Sequence, residues 1–104
     1  MGTTGVILET KLLPNYSNPF NPDTWIPYQL AQDAIVRITI YAANGALVRE
    51  LNLGHQKAGD YSSRSKAAFW DGRNDAGERV SSGVYFCRFA AGDFTAMHKM
   101  TMLQ

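Results

Sequence analysis

Four oxygen-bearing side chains, Asp71, Asn74, Asp75 and Glu78, crowd into one short stretch, and oxygen ligands are what a hard cation such as calcium requires. Arg73 stands where an EF-hand-like loop needs its second oxygen ligand. The same residues are turn formers, because Asn and Asp side chains bond to nearby backbone. A structural loop without metal is therefore the expectation, and calcium at Asp71, Asn74, Asp75 and Glu78 is the alternative. A thiol nucleophile needs a base beside it; a Cys87–His98 pair across a terminal hairpin is geometrically possible, while His55 falls in a loop. A small buried thiol and an unrelated histidine explain the same residues. No carboxylate pair stands in a recognisable glycosidase context, so no catalytic residue is assigned. Trp25, Tyr28, Tyr61 and Trp70 are candidates for stacking on sugars, but a small β-core also needs aromatics.

The elements that must position these residues are strands. In Ala34 to Tyr41, Val36, Ile38 and Ile40 share one face and Arg37 and Thr39 the other, the alternation of a strand with one buried and one wet side. Asn44-Gly45 is a hairpin signal leading into Leu47–Leu53, followed by a loop from Gly54 to Gly59. Thr24–Leu30 reads as a strand in which Pro27, lacking a donor, requires an edge or a bulge. Val6–Thr10 is expected to form a first short strand. Asn15 to Pro22 is a stiff connector, since proline fixes its own φ and disfavours α geometry at the residue before it; Phe20 is expected to be a peg into the core. Tyr61 to Trp70 reads as a loop leading into a strand.

After Trp70, the pairs Asp71-Gly72, Asn74-Asp75 and Ala76-Gly77 reverse the chain. Val84–Phe89 and Phe94–Leu103 then form a terminal hairpin around Ala90-Ala91-Gly92-Asp93, with Tyr85, Cys87, Phe89, Met100 and Met102 inward and Lys99 and Thr101 outward. No segment sustains helical spacing. About seven strands with turn signals every 8–12 residues are the pattern of an Ig-like, fibronectin-III-like all-β sandwich.

The chain has 104 residues, which suffices for one domain burying roughly 60–70% of its unfolded surface without cross-links. Residues 1–5 read as an added leader and 6–104 as the domain. Ten Lys and Arg against nine Asp and Glu give a formal charge of +1, and the basic residues are scattered from Lys11 to Lys99, which is no electrostatic footprint for nucleic acid. The cluster Lys57, Arg64 and Lys66 reads as a solvated loop. One cysteine leaves no intramolecular disulfide and no thiolate zinc cluster. No apolar run approaches the length of a membrane helix, and no cofactor motif is present.

Several pieces in order, Asn15-Tyr16-Ser17-Asn18-Pro19-Phe20-Asn21-Pro22-Asp23-Thr24, Ile40-Tyr41 with Gly45 and Val48-Arg49, Trp70-Asp71-Gly72-Arg73, Val80-Ser81-Ser82-Gly83-Val84-Tyr85 and Lys99-Met100, form a recognisable series. It resembles the Ig-like β-sandwich of the flagellar hook-capping family and the related C-terminal sorting domains of type IX secreted bacterial proteins. The resemblance covers roughly residues 12–104. It implies a non-catalytic module at the C-terminus of a larger exported protein, secreted or on the cell surface. Its partners would be secretion or surface-attachment machinery, or other domains of the parent, with Lys99 and Thr101 as candidate recognition residues. A glycan- or protein-binding accessory module is the alternative. Asn18, Pro19, Phe20, Asn21, Pro22, Trp70, Asp71, Gly72, Gly83 and Tyr85 are the structural motif positions. Ser17 stands where the family usually has a further proline and Ala42 where an aspartate is common, and the stretch from Gly59 to Trp70 is longer than usual.

Overall fold

The structure, a computed structural model, describes residues 7–19 and 22–103. All the regular elements among them are strands: β1 (Lys11–Leu12), β2 (Thr24–Ile26), β3 (Tyr28–Leu30), β4 (Ala34–Ala42), β5 (Leu47–Gln56), β6 (Gly59–Tyr61), β7 (Ala68–Trp70), β8 (Gly83–Ala91) and β9 (Phe94–Met102). One antiparallel sheet has the order β5-β4-β8-β9, and the others are β1-β3-β6 and β2-β7. This is an Ig-like β-sandwich.

The residues expected to alternate do so. Val36, Ile38 and Ile40 join Tyr85, Cys87, Phe89, Met100 and Met102 from the large sheet, and Ile26, Tyr28, Leu30 and Trp70 from the small ones, in one buried cluster. Thr39 departs from the expectation of a wet face, being only 5% exposed. It lies on the outward face of an inner strand, between Glu50 and Arg88 on the two adjacent strands, where long side chains can cover a short one.

Pro27 does more than mark an edge. β2 pairs with β7 and β3 with β1 and β6, so the chain changes sheets at the one residue without a ladder donor. Its carbonyl still accepts from Leu13 N at 3.1 Å.

Three further expectations need correction. The first strand among the described residues is Lys11–Leu12, not Val6–Thr10; Val6 and the leader lie outside the described residues, as do Phe20 and Asn21. The loop expected from Gly54 to Gly59 is largely strand, because β5 runs on to Gln56 and β6 begins at Gly59. Gly54, at φ +72°, sits at a register shift opposite Val36, where a glycine in the left-handed region lets one strand carry an extra residue. The final turn is the pair Gly92-Asp93, since Ala91 still pairs with Phe94.

Candidate functional site

The loop after Trp70 is a polar knot pinned to the edge of the large sheet. The indole N–H of fully buried Trp70 donates to Arg73 O at 2.9 Å, and its ring meets Tyr85 edge-on at 5.5 Å. Tyr85 donates its hydroxyl to Ser81 O four residues upstream, at 2.6 Å. Asp71 Oδ1 accepts from Arg73 N at 3.1 Å, and Asn74 Oδ1 accepts from the amides of Ala76 and Glu78. These are the side-chain-to-backbone bonds of turn chemistry.

Arg49 on β5 is the centre that sequence reasoning did not single out. Its Nη1 donates to Asp71 Oδ1 at 3.0 Å and to Arg73 O at 3.1 Å, and its Nε lies 3.7 Å from Asp75 Oδ1. Asp75 also receives Glu50 N at 3.1 Å and gives its own amide to Val48 O. The loop thus covers two outer backbone groups of β5, Val48 O and Glu50 N, which would otherwise template pairing with another chain. Of the four oxygen-bearing residues, Asp71 and Asp75 face a guanidinium, while Asn74 Nδ2 donates to Glu78 Oε1 at 3.0 Å. Among the described residues no group of three or more His, Cys, Asp or Glu could hold a metal ion. Asp71→Ala should cost about 0.5–2 kcal/mol, the range of a lost local cap. Thermal melts should show the same loss with and without calcium. A rise of many degrees in micromolar calcium, abolished by the substitution, would instead make the loop a metal site.

Cys87 and His98 stand directly opposite each other in the β8–β9 register. Cys87 is buried, and burial pushes its thiol up to about 12. A thiol held neutral by burial is a weak nucleophile.

The candidate aromatics divide. Trp70 and Tyr28 are buried and present no ring to a sugar. Tyr61 stacks on Tyr28 at 4.8 Å. Trp25 is half-buried, stacked on Tyr16, tilted against Phe69 and covered by the Arg64 guanidinium 4.4 Å from its ring centroid.

Upstream, Asn15 and Thr24 form a buried polar pair, Asn15 Nδ2 donating to Thr24 Oγ1 at 3.0 Å, with Thr24 Oγ1 within 3.0 Å of the carbonyls of Tyr16 and Ser17. Asn18 Oδ1 accepts from Thr101 N at 3.1 Å. The connector motif therefore clasps the outer edge of β9 at one of the two candidate recognition residues. Lys99 is exposed and Thr101 half-buried, on the face opposite the buried Met100 and Met102.

The profile of the FlgD Ig-like domain matches residues 22–93, more than half of the chain. The chain belongs to the FlgD Ig-like domain family. Solved structures share the fold: dimeric latent PorU from Porphyromonas gingivalis, with TM-score 0.65 and 20% identity over 90% of this chain; PorZ of the same organism, with TM-score 0.60 and 18% identity over 97%; and FlgD from Pseudomonas aeruginosa, with TM-score 0.53 and 23% identity over 70%. PorZ is described as an essential bacterial surface component of the type-IX secretion system. The chain spans only 9%, 13% and 54% of those three proteins, respectively. A search of the curated proteins found no match. In this FlgD Ig-like sandwich the Trp70–Tyr85 pair and the Arg49-centred loop fall within the matched residues, and the Asn18 clasp lies just before them.

Proposed function

We propose that this chain is a non-catalytic Ig-like module, residues 6–104, at the C-terminus of a larger exported bacterial protein, serving in secretion sorting or surface attachment. The observation that carries this reading is the likeness to PorU and PorZ, where one sandwich of this size is a small part of a far longer chain. A module of this kind acts through its surface, and the exposed terminal hairpin offers Lys99 and the side chain of Thr101. Their substitution leaves Met100, Met102 and the core untouched, so recognition can be separated from folding.

The test is export of a reporter fused to the module, in a host with a type IX system. Lys99→Ala with Thr101→Ala is expected to keep the melting temperature and lower export. Undiminished export by that variant moves the readout off these two residues. Export of the reporter without the module overturns the sorting role and leaves an accessory binding module in its place.

A further inference from the structure

The outward face of the large sheet carries side chains that stand outside the buried core. Register places Leu47, Tyr41, Phe86 and Lys99 in one row across β5, β4, β8 and β9, and Glu50, Thr39, Arg88 and Met97 in the next. Tyr41, Phe86, Arg88 and Met97 border a shallow apolar cleft of about 330 Å³. Leu47 and Met97 beside it are 56% and 53% exposed. The solvent face of an antiparallel sheet is normally polar, whereas aromatic residues, methionine and arginine together are the composition of interface cores.

The charges on this face have a direction. Lys99 on β9, Arg88 on β8 and Arg37 on β4 fall on one diagonal, each a strand over and two residues along from the last. Among the described residues none of the three is in an ion pair; Arg37 gives only its Nε, to Asn52 Oδ1 at 3.1 Å. Among the described residues of these four strands Glu50 is the one carboxylate on this face, two strands from Arg88. Diagonal neighbours on adjacent strands are about 7–8 Å apart, and alternate residues of an extended peptide about 6.5–7 Å. Carboxylates at every second position of an extended segment therefore match this row of cations. The intervening side chains point to the other edge of the segment, toward Phe86 and Tyr41.

We infer that this face is a docking site for an extended acidic peptide segment with glutamate or aspartate at alternate positions and bulky apolar residues between them. Arg88, at the middle of the row, takes a carboxylate in bidentate fashion, and Phe86 and Tyr41 take the apolar side chain. The inference deepens the recognition reading above and rests on it for its cellular setting. Its test uses the purified module rather than export, so either can fail alone.

The probe is a fluorescein-labelled hexapeptide alternating glutamate with leucine and phenylalanine, followed by anisotropy at an ionic strength of about 0.15 M. Saturable binding is expected, weakened about tenfold or more by Arg88→Glu and by Phe86→Ser, with melting of Arg88→Glu unchanged. The same peptide with glutamine for glutamate should bind about tenfold more weakly as well. No saturable binding below about 1 mM overturns the inference. So does equal binding of the glutamine peptide, or of the Arg88→Glu module. A dimer in sedimentation that Phe86→Ser dissociates would assign the face to a second copy and overturn it equally.

Discussion

Gly72→Ala is expected to destabilise the domain by about 2–5 kcal/mol, a large part of the 5–15 kcal/mol that holds a domain of this size together. Two costs combine at this position. Gly72 has φ +76°, where an L side chain adds about 1–2 kcal/mol of strain. A Cβ there would also overlap the carbonyl oxygen of Pro22 and lie 2.9 Å from Met102 Cε. The methionine tip can swing aside, but a proline carbonyl belongs to the backbone and overpacking of that kind costs a further 1–3 kcal/mol or so. Gly77 is the control: its φ is +84° and a Cβ would meet nothing within 4 Å. Gly77→Ala should lose only the strain, about 1–2 kcal/mol, and chemical denaturation of both variants separates packing from backbone geometry. Equal losses would mean that the Pro22 contact relaxes freely.

Raising the pH should unfold the protein over a defined range. Burial pushes the Cys87 thiol from 9.0 up to about 12, and burial followed by the neighbouring Tyr61 pushes the Tyr28 hydroxyl from 10.0 up to about 12. Both groups are neutral when protonated, so the folded state favours the proton and the unfolded state releases it first. Their contribution is therefore intact below pH 9 and is lost toward pH 12, from 9 upward for the thiol and from 10 upward for the Tyr28 hydroxyl. At about 1.4 kcal/mol per pH unit, the thiol alone accounts for roughly 4 kcal/mol across that range. Denaturant melts from pH 8 to 11 should show flat stability and then a fall, with a shallower fall for Cys87→Ala. At neutral pH a thiol reagent should label Cys87 only as fast as the protein opens, and rapid labelling of the native protein would show the thiol to be exposed.

How much of this was legible in the sequence depended on whether local rules acted alone. Alternation placed Val36, Ile38 and Ile40 inside because a central strand leaves its side chains no other arrangement, and Asn44-Gly45 marked its hairpin because Gly45 needs its φ of +88°. Thr39 was misplaced because it is flanked on its outward face by two neighbouring strands, which no single segment encodes. Gly54 looked like a loop because glycine signals both turns and bulges, and only the partner strand decides which. The site was less legible still. Arg49 gathers Asp71, Arg73 and Asp75 from more than twenty residues away, and the diagonal of Lys99, Arg88 and Arg37 exists only once three strands are in register.

The change of sheet at Pro27 bears on how the molecule opens. A strand pair of three residues has little persistence of its own in water, and the second layer consists of such pieces. β2 and β3 are joined through one residue, so lifting β2 from β7 pulls on β3 and hence on β1 and β6. Ile26 and Tyr28, on either side of the proline, are both buried in the common core, and neither sheet can separate without exposing both. The amides of these short strands should therefore exchange with solvent together, as one cooperative unit, at the rate of the layer as a whole and not at the faster rate of a frayed ribbon.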